Sequence, residues 1–561
     1  MQWRRTRSSR PVFYELNPDE ILLDADNLPA FDTQQFEGRI ERPIAKRTLS
    51  ILLTGMIIIV GCFVGRLGFL QIARAAWYET KSEQNSLDHI PVFADRGVIY
   101  DRNGVELSWN SFDTERGVSI RQYIDKPGFA SLVGYVSYPT KDAKGVYWQE
   151  RMMGRDGIEK EFDSALSGTN GTKLIEEDVN GVKISESTIV PPEQGTNISL
   201  SIDARVQEAL AQGILDLAQQ SGYAGGAGAV MDIHTGELLA MTSLPEYSQA
   251  VLSAGKDTAL IREYTQGSTR TFLNRMTHGL YTPGSIIKPF LALAALNEHI
   301  ITPERIIVTT GTLKVPNPYN PSLFTVFKDN ADHGLVDMKK AITVSSNIYF
   351  YEVGGGYGSQ QGLGIANIEK YARLFGIGEK TGIDSASEVA GTVPSVSWKA
   401  QRFPGDPWRI GDTYNTSIGQ YGFQVTPIQM LRAVAGIASH GTLVTPTLQK
   451  APSSRVSDSV QLPFTIAQYA VVDEAMRAVV TEGTGTVLNT TDMLVAAKTG
   501  TAQIKGNTRV NSWVIGFFPA DHPRFAFTVL MEDGPKVSTG ATHAFRPVVD
   551  LFVSTPELLT Q

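Results

Sequence analysis

The longest apolar segment of the chain lies near its N-terminus. No charged residue occurs from Thr48 to Gly65, and the apolar character continues past Arg66 to Ile72. A helix of this length reaches the ~20 residues needed to cross a bilayer. The pattern therefore predicts a transmembrane helix over residues 48–72.

Two other interpretations of this segment are weaker. A buried core helix is disfavoured because the segment is apolar on every face. A cleaved signal peptide is supported by the small-x-small string Ala73-Arg74-Ala75. However, a long N-terminal stretch precedes the segment, and the apolar core of a signal peptide is usually only about 7–15 residues long. A signal anchor fits better, and the basic residues upstream of it predict a cytoplasmic N-terminus with the bulk of the chain outside: Arg39, Arg42, Lys46 and Arg47.

The remaining pattern divides into three further regions. Residues 1–47 mix acidic and basic residues with prolines, which predicts a mostly disordered cytoplasmic tail. Residues 73–195 hold short strand-like pieces and glycine-rich turns, which predicts an extended β-rich region. A strand at residues 198–202 precedes a helix over residues 203–217 that Asp203 caps. The last domain is predicted over residues 196–561.

Composition narrows the function classes. A length of 561 residues predicts about three domains, and 42% apolar with 19% charged residues is ordinary for a folded protein. The net charge of −8, without a long basic block, argues against nucleic-acid binding. Cys62 is the single cysteine, and the eight histidines lack metal-binding spacing. No metal or other cofactor is predicted.

Three short strings carry the candidate chemistry. They are Ser285-Ile-Ile-Lys288, Ser345-Ser346-Asn347 and Lys498-Thr499-Gly500-Thr501. In that order they supply a nucleophilic serine with a lysine base, a hydroxyl and amide pair, and a cation with hydroxyls. These groups are suited to acyl transfer through a serine ester.

Each string alone is weak, because the chain repeats all three patterns. A second S-x-x-K begins at Ser253, a second S-x-N at Ser108 and a second K-T-G at Lys380. The sequence context favours the strings at Ser285, Ser345 and Lys498 over these repeats. Ser285 opens an apolar helical run in which Pro289 falls in the first turn, where proline is tolerated. Residues 348–351 predict a core helix, and an apolar strand over 493–497 precedes the lysine of a predicted hairpin whose second strand spans 510–518.

These motifs and their surroundings resemble the class B penicillin-binding proteins, which are peptidoglycan D,D-transpeptidases. The resemblance extends from Arg96 to the C-terminus through further blocks at residues 96–104, 154–162, 232–241, 274–275, 417–420 and 425–430. It implies an α/β fold: a penicillin-binding or serine β-lactamase-like transpeptidase domain with an antiparallel sheet flanked by helices and a helical subdomain. A β-rich pedestal, here residues 73–195, and one N-terminal transmembrane helix would precede it.

The resemblance also implies roles for individual residues. Ser285 would attack the D-Ala–D-Ala carbonyl of a stem peptide, and Lys288 would be its base. Desolvation, the helix N-terminus and Lys498 would all favour a neutral Lys288, leaving Lys498 charged. The remaining roles are proton relay for Ser345, binding of the substrate amide for Asn347, binding of the terminal carboxylate for Thr499 and Thr501, close approach of the substrate backbone for Gly500, and oxyanion donation by the N–H groups of Ser285 and Thr501.

Several alternatives stay open from the residues. A β-lactamase shares the motifs, although no S-D-N string occurs. A D,D-carboxypeptidase would differ only in using water as acceptor, and a β-lactam sensor would bind without turnover. A glycan-polymerising domain is disfavoured because only about 120 residues separate the helix from the last domain.

The resemblance finally implies a location and partners. The chain would be a single-pass protein of the bacterial cytoplasmic (inner) membrane, with its catalytic domain periplasmic or extracellular. Its ligands would be peptidoglycan stem peptides on lipid II-derived glycan strands, and β-lactams. A SEDS-type glycosyltransferase would dock through the transmembrane helix, where Gly61 and Gly65 have G-x-x-x-G spacing, and through the pedestal. The pedestal is shorter than is usual in the family.

Overall fold

In the computed structural model, the described residues are 46–78, 87–114, 118–143, 147–177, 183–317, 319–384, 387–450, 459–504, 506, 508–537 and 539–560. The predicted tail therefore lies outside the described residues except for Lys46 and Arg47. Contacts divide the chain into a unit of residues 1–87 with 177–182, and a second unit of residues 88–176 with 183–561.

The first unit contains one long apolar helix. Helix α1 spans Lys46–Gly68 and continues as a π-helical turn at Phe69–Ala73. Together these 28 residues are long and apolar enough to cross a membrane, and none of the residues of α1 is buried. This exposure argues against the core-helix alternative, because a core helix would be mostly buried.

The β-rich region predicted upstream of the last domain is confirmed. It consists of small sheets with strand orders β1-β9-β10, β11-β2-β3-β4, β5-β8 and β6-β7. Strand β11 lies after the predicted end of this region and pairs in parallel with β2. The elements are β1 (Leu87–Val92), β2 (Ile99–Tyr100), β3 (Glu106–Asp113), β4 (Val118–Tyr123), α2 (Ala130–Val133), β5 (Val136–Ser137), β6 (Thr140–Lys141), β7 (Tyr147–Gln149), β8 (Met153–Gly154), α3 (Gly157–Glu161), α4 (Asp163–Leu166), β9 (Gly171–Glu177), β10 (Lys183–Val190) and β11 (Ile198–Ser199).

The last domain is built on a five-stranded antiparallel sheet of order β13-β12-β22-β21-β20. Helices α5 and α16 pack on one face of it, and α14 packs on the other. The Asp203 cap is confirmed, because its side chain accepts a hydrogen bond from Arg205 N at the start of α5. These elements are α5 (Ala204–Ser221), β12 (Gly225–Asp232), β13 (Leu238–Leu244), α14 (Pro427–Ala438), β20 (Ala496–Ile504), β21 (Arg509–Phe518), β22 (Phe525–Gly534) and α16 (Ala541–Ser554).

A mostly helical subdomain lies between β13 and β20 in the chain. Its centre is α8, whose residues from Lys288 to Leu296 are all buried. The elements of this subdomain are α6 (Gln249–Ala254), α7 (Thr258–Gln266), α8 (Lys288–Asn297), β14 (Ile307–Thr309), β15 (Thr312–Asn317), β16 (Asn320–Lys328), β17 (Gly334–Val336), α9 (Met338–Thr343), α10 (Asn347–Gly355), α11 (Gly364–Leu374), α12 (Val396–Arg402), α13 (Ile410–Ser417), β18 (Thr442–Val444), β19 (Ser459–Gln461) and α15 (Ile466–Thr481).

Two predicted strands differ in length from those observed. The strand expected at residues 198–202 is limited to Ile198–Ser199. The strand expected to end before Lys498 begins only at Ala496 and runs through the whole motif to Ile504. The predicted hairpin is correct, since β20 and β21 pair antiparallel. The lysine motif therefore lies inside an edge strand.

Candidate active site

Ser285 lies in a 3-10 turn that leads into α8. The turn covers Gly284–Ile287 and the α-helix begins at Lys288, with Pro289 at its first turn as predicted. Gly284 has φ +59, and a Cβ there would lie 3.2 Å from Thr501 O. The left-handed backbone and the nearby strand together explain why glycine precedes the serine.

Lys288 is fully buried one turn after Ser285. Its amine donates to Ser345 O at 2.7 Å and to Asn347 Oδ1 at 2.8 Å, and lies 3.3 Å from Ser345 Oγ. Among the described residues Ser285 Oγ has no hydrogen bond. The lysine of the first motif thus binds the second motif in this structure, and catalytic hydrogen bonds commonly tighten only when substrate is bound.

The second motif forms a sharp turn between α9 and α10. Ser345 has φ +60, a left-handed conformation that is uncommon for a residue other than glycine. Ser346 caps α10 by accepting from Tyr349 N, and Asn347 is the first residue of that helix. The turn directs Ser345 Oγ toward Lys288 and also toward Lys498 Nζ, which is 2.9 Å away.

The third motif brings β20 against the turn that carries the serine. Lys498 is fully buried and also donates to Thr499 O at 2.7 Å. A Cβ on Gly500 would lie 2.9 Å from Ile286 Cγ2 and 3.1 Å from Pro283 O. The absence of a side chain at Gly500 thus allows the strand to approach the serine turn, a reason that differs from the predicted approach of substrate.

Burial controls the electrostatics of both lysines. It lowers the pKa of Lys288 to about 7, against an opposing effect of the Asp329 carboxylate. Burial, together with the proximity of Lys288, also lowers the pKa of Lys498 well below its usual value. The expectation of a neutral Lys288 agrees with this direction. The expectation that Lys498 keeps its charge does not, because no carboxylate among the described residues compensates that amine.

The cleft in front of these residues has a volume of about 930 Å³. Six predicted residues line it directly: Ser285, Ser345, Asn347, Thr499, Gly500 and Thr501. Lys288 and Lys498 lie behind them and reach them through hydrogen bonds. The structure thus brings all eight predicted residues together, in an arrangement that offers a hydroxyl nucleophile, an amine of lowered pKa and a second hydroxyl that links two amines.

Sequence reasoning missed several residues that line the same cleft. Trp513 lies opposite Gly500 on the neighbouring strand and donates from Nε1 to Thr282 O at 3.1 Å, so it anchors the turn before the serine. Asp329, Asn415, Gln420 and Thr484 also line the cleft. Gln420 belongs to the block at residues 417–420 that carries part of the resemblance, and this was the available sequence signal. In the structure the block contacts the serine turn, because Gly284 N donates to Gly419 O at 2.9 Å.

The repeated motifs lie elsewhere. Ser108 is buried in β3 and donates to Glu159. Ser253 is buried near the end of α6 and shares a hydrogen bond with Tyr123 OH. Lys380 is exposed in a loop after α11. Among the described residues, no three His, Cys, Asp or Glu side chains converge to hold a metal ion.

Comparisons with known proteins match both regions of the second unit. Residues 226–550 match the family described as penicillin binding protein transpeptidase domain, and residues 112–200 match the penicillin-binding protein dimerisation domain. The peptidoglycan D,D-transpeptidase MrdA of Acinetobacter baumannii is 28% identical, over 94% of this chain and 90% of the relative. The protein of the same name from Salmonella typhimurium is 27% identical, over 91% and 96%.

A solved structure has the same fold. The crystal structure of Pseudomonas aeruginosa PBP2 in complex with WCK 5153 is 29% identical, with a TM-score of 0.67. The match covers 83% of this chain and 96% of that chain. The likeness therefore includes the β-rich region and the last domain together.

Proposed function

Because this chain belongs to the penicillin-binding protein transpeptidase family, we propose that Ser285 is the nucleophile through which it cross-links peptidoglycan. The function is that of a peptidoglycan D,D-transpeptidase, in agreement with the names of the relatives. The observation that supports the assignment of residues is the meeting of Ser285, Ser345 and two buried lysines in one cleft.

The reaction begins with the formation of an ester. Neutral Lys288 takes the Ser285 hydroxyl proton while the Oγ–carbon bond forms at the penultimate D-Ala carbonyl. The amide C–N bond then breaks, and the departing D-Ala amine receives a proton through Ser345, whose Oγ contacts both lysines. An amine of a second stem peptide then attacks the ester carbonyl. The new C–N bond of the cross-link forms, the ester C–Oγ bond breaks, and a proton from the attacking amine passes to Ser285 Oγ.

Binding groups complete the proposed site. The N–H groups of Ser285 and Thr501 are the oxyanion donors, each worth about 2.7–4 kcal/mol in such a role. Asn347 binds the substrate amide, while Lys498, Thr499 and Thr501 bind the terminal carboxylate of the donor peptide. That carboxylate supplies the negative charge that Lys498 does not receive from the part of the chain that the structure describes, so its binding restores the ammonium form.

The anchor and the partners are further parts of the proposal. Residues 48–72 cross the cytoplasmic membrane, with residues 1–47 inside and the pedestal (73–195) and transpeptidase domain (196–561) outside. Residues 61 and 65 of α1, both glycines, leave room for a second helix. A SEDS-type glycosyltransferase that polymerises the glycan strands is the proposed occupant.

Labelling with a fluorescent penicillin tests the assignment. The β-lactam carbonyl resembles the D-Ala–D-Ala amide, so a stable covalent adduct should form on the purified full-length protein. Ser285→Ala should abolish the adduct, while Ser253→Ala should keep it. Labelling that survives Ser285→Ala would show that the nucleophile is another residue. An adduct lost as fast as it forms would favour β-lactam hydrolysis instead.

A further inference from the structure

The turn that carries Ser345 is strained. A residue other than glycine held near φ +60 costs about 1–3 kcal/mol, and it persists only when surrounding contacts determine it. The backbone of this turn is held by Ser345 N donating to Ile342 O at 3.2 Å and by Ser346 N donating to Ala341 O at 2.9 Å. Both acceptor carbonyls belong to α9, on one side of the turn.

The connection after β16 holds the other side. Asp329 accepts three hydrogen bonds from the start of α10: Ser346 Oγ at 2.6 Å, Asn347 N at 2.6 Å and Ile348 N at 3.0 Å. A carboxylate at a helix N-terminus is stabilised by such donors and by the helix dipole. The next residue, Asn330, donates from Nδ2 to Val344 O at 3.1 Å, on the opposite side of Ser345.

Two residues adjacent in the chain, Asp329 and Asn330, therefore hold the turn by hydrogen bonds on both sides of Ser345. We propose that Asp329 and Asn330 are positioning residues that hold Ser345 Oγ between Lys288 and Lys498. This inference rests on the proposed function, because it gives Ser345 its proton-relay role. Both residues line the cleft, but they act through the turn and need no contact with the reacting atoms.

Asp329 also influences the base electrostatically. The charged groups that face Lys288 are Lys498 from β20 and Asp329 from the connection after β16. The carboxylate opposes the lowering of the Lys288 pKa that burial causes. Removal of its charge should therefore lower that pKa further. The acid limb, meaning the acidic side of the pH–rate profile of acylation, should then move to lower pH. Displacement of Ser345 alone would reduce the rate without moving the acid limb.

The test compares acylation by a fluorescent penicillin across pH in the full-length protein. Asp329→Asn keeps the size of the side chain and removes its charge. Acylation at neutral pH should fall by about tenfold to a hundredfold, as small misplacements of reacting groups commonly cause, and the acid limb should shift to lower pH. Asp332→Asn, an exposed carboxylate in the same connection, should match the unchanged protein in both measures.

Asn330→Ala separates geometry from charge. It removes the bond to Val344 O without altering a charge, so the rate should fall while the acid limb stays in place. If Asp329→Asn does not fold, the acylation rate of Asn330→Ala alone tests the proposal. Wild-type rates in a folded Asp329→Asn, or in Asn330→Ala, would overturn the proposal. If the unchanged protein does not label on Ser285, it is the proposed function that fails.

Discussion

Two clusters of buried basic side chains lie in different regions of this protein, and they differ in whether carboxylates compensate their positive charge. In the pedestal, the side chains of Arg96 and Arg121 are 1% and 0% exposed, and both bind Glu159, at 2.5 and 2.7 Å. In the cleft, Lys288 and Lys498 are equally buried, but their hydrogen-bond partners are hydroxyl, carbonyl and amide oxygens. The pedestal compensates its charge, whereas the cleft leaves it to be removed by deprotonation or balanced by a ligand.

A third buried lysine in the same domain shows that burial alone does not decide the outcome. The side chain of Lys399 is 1% exposed and lies 2.5 Å from Asp412 and 3.1 Å from Asp406. Burial by itself would lower the pKa of Lys399, but the hydrogen bonds to these carboxylates outweigh it and raise the pKa. The pKa of Lys288 is thus lowered because its positive charge is only weakly compensated by nearby carboxylates. A lysine in this state is suited to act as a base, but its burial does not stabilise the fold.

The largest effect should follow exchange of the basic lysine for arginine. Guanidinium keeps its proton in proteins, so Lys288→Arg should lose the base. Acylation by a labelled penicillin should fall by about 10²–10⁴-fold, the usual contribution of general-base catalysis. The matched exchange Lys380→Arg, in the exposed repeat of a motif, should leave the rate unchanged. A rate for Lys288→Arg near that of the unchanged protein would remove Lys288 from the base role.

The pedestal should respond in stability instead. Glu159→Gln would leave Arg96 and Arg121 without their shared buried carboxylate, a loss that typically costs about 3–5 kcal/mol. Denaturant unfolding of the purified full-length protein measures this cost. Below the unfolding range, the acylation rate should stay unchanged.

An exposed ion pair in the same unit provides the control. Lys126 and Glu208 lie 2.7 Å apart, with side chains 43% and 41% exposed. Glu208→Gln should cost less than about 1 kcal/mol, because solvent screens such pairs. Equal effects of the two substitutions would contradict the view that the pedestal cluster depends on compensated burial.

The rate of acylation should also depend on pH. Because Lys288 accepts a proton only when neutral, and its pKa is about 7, acylation should be half-maximal near pH 7. Below that value the neutral fraction, and with it the rate, should fall tenfold for each pH unit. Rates of fluorescent-penicillin acylation from pH 5 to 8, on protein that remains folded throughout, check this sign. A flat profile would mean that Lys288 does not titrate in the reaction.

Much of the site could be predicted from local sequence. The turn and apolar run around Ser285, the core helix after the second motif and the hairpin at the third each selected the copy of a repeated string that lies in the cleft. These signals were sufficient because each motif occupies one element. Asp329 carried no such signal: it follows an exposed hairpin, and its partners in α10 lie 17–19 residues further along the chain.

The sequence by itself determined the chemistry available, namely one hydroxyl nucleophile, two amines and a second hydroxyl, together with an apolar helix that can cross a membrane. Only the tertiary structure decided the state of those amines. Lys288 contacts Ser345, which lies 57 residues further along the chain, and Ser345 contacts Lys498, which lies 153 residues beyond it. The proton affinity of a buried amine depends on the solvent it loses and the charges it meets. Both are set by distant segments that come together only in the fold.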